Sequence, residues 1–276
     1  MRNRLIWLVM AVAAVVPAFG SPVVSVNLGS SGSYALLGST ITDTGDSDIF
    51  GNVGATTTIT VNSPWVVTGT VYPAGDPNAI AAYGAFESAY NTALALAPTQ
   101  PVLGSLPLTQ TFLGNNVYTF NNNLSTTTGT ALTFDAQNNP NDVFVIQIDG
   151  AFTVNGILTF NLVNGAKASN IFWIVEDAAT ISVGSSPPQT FDGSILAGTS
   201  FTMSAASGGS GTLAGTIDGC VFSETANTLA GDTNVGGCAS TGSGSGSTPE
   251  PSSSWLLGTG LLGLGLLLRK PGKRAA

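Results

Sequence analysis

Hydrophobic positions along this chain fall into three textures. Residues 5–16 and 255–268 are nearly continuous apolar runs, one near each end. Between them, short apolar or β-branched segments alternate with Gly, Asn, Asp and Pro, and turn signals return roughly every 10 to 20 residues. Segments 55–61, 124–134, 143–148, 152–163, 171–175, 179–183, 194–203 and 212–222 read as strands. The run Val143-Phe144-Val145-Ile146-Gln147-Ile148 lacks polar alternation, which predicts a strand buried on both faces. One stretch has a helical period instead. Asp76-Pro77 supplies an N-cap followed by proline at the first helical position. Ile80, Tyr83, Phe86, Tyr90 and Leu94 then recur at helical spacing, interleaved with alanines, until Ala97-Pro98. A helix over about 77–97, packed by its aromatic stripe, is expected beside an otherwise all-β body. No strict short repeat is visible, so pattern alone fits an irregular solenoid or a sandwich.

The two end runs are short for permanent spans, and a simple membrane anchor is the alternative reading at each end. Arg2 and Arg4, the apolar run and Ala18-Phe19-Gly20 form a secretory signal over residues 1–20, with cleavage expected before Ser21. At the other end, a Gly/Ser linker over 241–248 leads to Pro249-Glu250-Pro251, an apolar helix expected over 253–268, and the basic cluster Arg269, Lys270, Lys273 and Arg274. The basic end would stay cytoplasmic while the body is exported. This order resembles the PEP-CTERM sorting tail of Gram-negative bacteria, placed here over 249–274. The resemblance implies an exosortase-type processing enzyme as partner and transient inner-membrane anchoring by the C-terminal helix. It also implies a body, residues 21–240, that ends at the cell surface or outside the cell. Cys220 and Cys238 lie close together in such an exported chain, which favours a disulfide. Two free thiols remain the alternative, since spacing does not establish proximity.

Charge narrows the function classes. Between residues 21 and 248 the only basic residue is Lys167, facing fourteen carboxylates, and the whole chain has no histidine. An acidic body of this kind cannot neutralise nucleic-acid phosphates. It has no histidine for a Ser-His-Asp triad and none for a His-ligated zinc or copper site. No metal and no cofactor is expected. Asp43-Thr44-Gly45-Asp46-Ser47-Asp48 clusters carboxylates but lacks the spacing of an EF-hand loop, and is read as a solvated turn. The adjacent acids Glu176-Asp177 would point to opposite faces of a strand, so they would not flank one glycosidic bond. No catalytic residue is assigned.

Several segments form an ordered series along the body. They are residues 28–42, beginning Leu28-Gly29-Ser30-Ser31-Gly32-Ser33-Tyr34, then Gly51-Asn52-Val53-Gly54, and then the Asp-Pro helix with Ala82-Tyr83 within it. Asn116-Val117-Tyr118, the run 142–148, Gly165-Ala166-Lys167-Ala168-Ser169-Asn170-Ile171-Phe172-Trp173 and residues 195–202 complete the series, and together these segments resemble the microbial ice-binding, antifreeze-like family. The resemblance implies a right-handed β-solenoid of roughly triangular section with the helix along one side. It also implies binding of an ice surface through a flat face. Two departures stand out: Thr216-Ile217-Asp218-Gly219-Cys220, where the family has a Thr-rich strand, and the Gly/Ser-rich stretch 204–211.

The physics of such a face selects threonines. Stacked strands repeat every 4.7–4.9 Å or so, and alternate side chains share a face. Rigid β-branched hydroxyl residues can therefore form an ordered grid. The candidates are Thr56, Thr58 and Thr60, then Thr126, Thr128 and Thr130, then Thr199, Ser200 and Thr202. A surface adhesion or matrix module that keeps the fold without touching ice is the competing reading.

Overall fold

The computed structural model describes residues 24–62, 64–183, 189–205 and 215–238. The signal segment, the linker and the whole sorting tail lie outside the described residues, as does most of the Gly/Ser-rich stretch 204–211. Strands β1 (Tyr34–Asp43), β2 (Asp48–Ile49), β3 (Asn52–Val61), β4 (Val66–Val67) and β5 (Val71–Tyr72) precede helix α1 (Pro77–Leu94). After it come β6 (Thr109–Leu113), β7 (Asn116–Phe120), β8 (Leu124–Thr126), β9 (Thr130–Asp135), β10 (Phe144–Ile148), β11 (Phe152–Asn155) and β12 (Leu158–Val163). Then follow β13 (Ile171–Val175), β14 (Ala179–Val183), β15 (Gln189–Asp192), β16 (Ser194–Ala197), β17 (Ser200–Ala205), β18 (Gly215–Asp218), β19 (Val221–Ala230) and β20 (Thr233–Val235).

The strands pair in parallel and build three walls. The helix wall runs β7-β10-β13-β16 and continues through the first halves of β19, β1 and β3 to β5. The second wall runs β8-β11-β14-β17 and continues through the second halves of β19, β1 and β3. The three long strands bend from one wall into the next, so the two walls form one 12-stranded sheet. The third wall is two separate sheets, β6-β9-β12 and β15-β18-β20-β2-β4.

Stack order is not chain order. β1 sits directly on β19, and β2 on β20, so the last turn of the chain abuts the first. The chain therefore leaves one end of the stack at β5 and must restart at the other with β6. Helix α1 carries it back. Eighteen helical residues span about 27 Å, close to the height of a stack of this many rungs at about 4.8 Å each.

The helix starts as its sequence dictates. The Asp76 side chain accepts the Asn78 N–H at 2.8 Å, and Pro77 opens the first turn. Its buried face differs from the expected stripe. Ala79, Ala82, Phe86, Ala89, Tyr90 and Ala93 are buried, whereas Ile80 is half exposed. Alanines at the contact let the helix lie close to the sheet, against Leu37, Val117, Val145, Ile174, Leu196 and Phe222. Gly54 permits the same approach: a Cβ there would meet Ala79 Cβ at 3.0 Å and the Tyr34 ring at 2.8 Å. Gln147, the one polar side chain of β10, turns out to terminate the helix. Its Nε2 lies within reach of the carbonyls of Ala93 (2.8 Å), Leu94 (3.2 Å) and Leu96 (2.9 Å), at and just past the last turn, where a helix runs short of N–H donors. Thr119 orients it by donating to Oε1 at 2.6 Å.

The interior holds the inward residues of all three walls. Phe112 stacks on Phe134 and Phe152 on Trp173, with Phe160 and Phe191 packed around them. Each buried ring contributes on the order of 2–3 kcal/mol. A disulfide joins Cys220, buried beneath the helix wall, to Cys238.

Candidate functional site

The helix covers its own wall, which leaves two walls for contact with anything outside. The second wall is set by a regular alternation. Phe152 and Val154, Ala179 and Ile181, Phe201 and Met203, Leu229, and Ile41 all point inward and are buried. The residue between each inward pair points out. Strand register aligns these outward residues into one file: Ser125, Thr153, Thr180, Thr202, Thr228, Thr42 and Thr60. Six consecutive rungs thus carry threonine at the same place, and the seventh carries serine. A second file runs Asn155, Ser182, Ser204, Ala230, and a third Ser200, Ala226, Thr40, Thr58. Rungs repeat at about 4.8 Å, and alternate residues along a strand at about 6.6 Å, so the hydroxyls form a two-dimensional array.

Three properties set this array apart. No charged side chain belongs to any of the three files. The flanking files are tied to themselves, with Ser182 Oγ 3.1 Å from Ser204 Oγ and Thr40 Oγ1 donating to the Thr225 carbonyl at 3.3 Å. The central threonines hydrogen-bond to no protein group among the described residues, so their hydroxyls are free for solvent. Most are half buried by neighbours above and below, which with β-branching holds each in few rotamers.

The residues singled out from sequence divide. Thr58, Thr60, Ser200 and Thr202 lie together on the second wall. Thr56 sits half buried in β3, between Ala55 on the helix wall and Thr58 on the second wall, where register shifts. Thr199 is exposed at the equivalent corner, where its carbonyl accepts the Thr225 hydroxyl at 2.7 Å. The expected rung of Thr126, Thr128 and Thr130 does not form. Thr126 pairs with Val154, points inward and is 2% exposed, and its Oγ1 has no partner. Thr128 is in the turn between β8 and β9. Thr130 is 3% exposed, belongs to the third wall and donates to the Thr127 carbonyl at 2.8 Å. A corner interrupts the segment, and alternation does not carry across it.

Sequence reasoning misses Thr153 and Thr180 because each is a lone threonine in a short strand, and Thr42 and Thr228 because each sits in the second half of a long strand that bends between walls. Apolar neighbours on both sides mark Thr153 and Thr180, whereas Thr228 and Thr42 each have one apolar and one buried polar neighbour, Asn227 and Asp43.

Other acids behave as structure. Asp43 is fully buried, contrary to a solvated turn, and accepts from Ser47 Oγ at 2.9 Å and the Gly45 N–H at 3.2 Å. Burial pushes its carboxyl up. Among the described residues no group of three or more metal-ligating side chains is placed to hold an ion. Glu176 and Asp177 are both exposed in the bend after β13, rather than on opposite faces of a strand. The departure at Thr216-Ile217-Asp218 is part of β18, on the third wall, and leaves the second wall intact.

The Ice-binding-like family profile matches residues 35–235, and the PEP-CTERM protein-sorting motif matches residues 247–270. An ice-binding protein of Nostoc sp. (strain HG1) is 34% identical over 179 residues, covering 64% of this chain and 63% of that protein's own length. An ice-binding protein of Flavobacterium frigoris (strain PS1) is 30% identical over 219 residues, covering 74% of each. The crystal structure of an ice binding protein from an Antarctic Biological Consortium superposes with a TM-score of 0.65 at 28% identity, covering 79% of this chain and 94% of that one.

Proposed function

Since the chain belongs to the Ice-binding-like family, we propose that it binds ice through its second wall, with the file Ser125-Thr153-Thr180-Thr202-Thr228-Thr42-Thr60 at the centre of the contact. One observation carries this reading: seven aligned hydroxyl residues in files without charge, of which the six threonines have no protein hydrogen-bond partner among the described residues. Ordered hydroxyls offer a growing lattice fixed anchor points, and the threonine methyls limit competing hydration. Stiff side chains lose little entropy on contact. Charged groups would hold their own water shells against the lattice. The activity is binding without turnover, and it needs no cofactor.

In this reading the walls coil as a right-handed solenoid of roughly triangular section. The strong preference of parallel crossover connections for the right hand supports that choice. Residues 1–20 direct export. The tail holds the precursor transiently at the inner membrane through residues 253–268, until an exosortase cuts near Pro249-Glu250-Pro251. The body, residues 21–240 followed by the flexible 241–248 linker, then reaches the cell surface or the medium of a Gram-negative bacterium. Replacement of Pro249, Glu250 and Pro251 by alanine is expected to leave uncut precursor in the membrane fraction.

The test of ice binding is direct imaging of a single crystal growing in purified body. Facets and a gap between melting and freezing are expected. Round crystals with no gap would leave the chain as a surface adhesion or matrix module.

A further inference from the structure

The third wall has a defect that the ice reading does not use. Between β12 and β15 the ladder of backbone hydrogen bonds is missing, although the two strands are neighbours. A side chain bridges the gap instead: Gln189 Nε2 donates to the Leu158 carbonyl at 2.7 Å. The strands part around an open cavity of about 260 Å³.

Its lining is mixed in a particular way. Ile157, Leu158 and Phe160 give an apolar side, and Ile157 is 43% exposed. Thr159 and Thr190 bring exposed hydroxyls from opposite lips. Asp192 adds a carboxyl to the lining. Gln189 lines the cavity at 8% exposure, and its Oε1 is buried with no hydrogen-bond partner among the described residues. An unpaired buried amide oxygen marks the packing here as incomplete. Burial and the neighbouring Asp218 carboxylate push Asp192 up to about 6, which marks a poorly solvated carboxyl.

We propose that this cleft is a subsite for one ring of a neutral saccharide. The ring's hydroxyls would pair with the Thr159 and Thr190 hydroxyls and donate to Asp192, and its C–H face would rest on Ile157 and Phe160. The chemistry disfavours the alternatives. An anionic ligand finds two carboxylates and no cation in the cleft or its rim. A divalent cation wants a shell of six or more oxygens, and half of this lining is hydrocarbon. The volume falls just short of the usual range for small-molecule pockets, about 300 Å³ and upward, which suits a single ring.

The experiment is an amide NMR titration of the folded body with glucose, galactose, mannose and N-acetylglucosamine. Neutral oligomers of each form a second arm, and glucuronate and calcium chloride serve as contrasts. At least one neutral sugar is expected to give saturable shifts at the Gln189 side-chain amide and at Thr190, with glucuronate weaker. Stronger binding by the oligomer identifies a polysaccharide chain as the ligand, and equal binding a free sugar. Thr190→Tyr fills the cleft from one lip and Thr159→Tyr from the other, and each is expected to weaken binding about tenfold or more. Absence of saturable binding across the panel, response to calcium alone, or affinity unchanged in both variants would overturn the assignment. Because the cleft is on the third wall, each outcome is independent of ice activity.

Discussion

The second and third walls share strand direction, spacing and core, yet they present opposite surfaces. The second is continuous across seven rungs and carries no charge in its outward files. The third is split between β12 and β15 and carries Asp135, Asp192, Asp218 and Asp48 in its strands. Its threonines are not fewer in kind: Thr111 and Thr133 stand side by side, as do Thr190 and Thr216. Hydroxyls in register are therefore not enough. Length of the unbroken file and exclusion of carboxylates distinguish the wall assigned to ice from the wall assigned to a sugar.

Charge transfer between the walls breaks the comparison most sharply. Thr202→Asp puts a carboxylate with its own hydration into the central file and is expected to cut the freezing gap on the order of tenfold. Asp218→Asn on the third wall is expected to leave the gap unchanged. Nanolitre osmometry measures both.

Stability separates the walls from the framework that aligns them. Reduction of Cys220–Cys238, or Cys238→Ala, is expected to remove about 3 kcal/mol in a denaturant titration. Gln147→Leu leaves helix-end carbonyls and Thr119 without their partner, at a cost of about 2 kcal/mol by the same measurement. Both variants are expected to shape ice normally while folded, because neither touches the central file.

The smallest expected effect is one of pH. Asp192 titrates at about 6 in the fold, above its ordinary value of 3.8, because burial and Asp218 disfavour the anion. Its folded form holds the proton more tightly than the unfolded chain does. Its contribution to stability is thus complete below pH 4 and is lost as pH rises through 6. The group is partly exposed, so the loss is on the order of 1 kcal/mol. Thermal melts across pH 4 to 7 are expected to show it in the native protein and to show less of it in Asp192→Asn.

Local patterns were legible in the sequence wherever one element decides them. The Asp76-Pro77 start fixed the helix, and the run 143–148 was readable as a doubly buried strand because nothing in it alternates. Wall membership was not legible, because corners reset the alternation. Residues 124–134 look like one strand but turn between β8 and β9, which sends Thr126 and Thr130 inward. The helix face was misjudged at Ile80 because close packing selected alanine over bulk. The role of Gln147 depends on a helix end 51 to 54 residues away in sequence, which no local pattern encodes. The split in the third wall left no trace in composition.

The most direct measurement compares two tyrosines. Thr180→Tyr raises a bulky ring at the middle of the central file, and Thr133→Tyr raises the same ring on the third wall. With far-UV spectra and melting points matched, the freezing gap is expected to vanish in Thr180→Tyr and to persist in Thr133→Tyr. An intact gap in Thr180→Tyr, or its loss in Thr133→Tyr, would contradict the assignment of ice contact to the second wall.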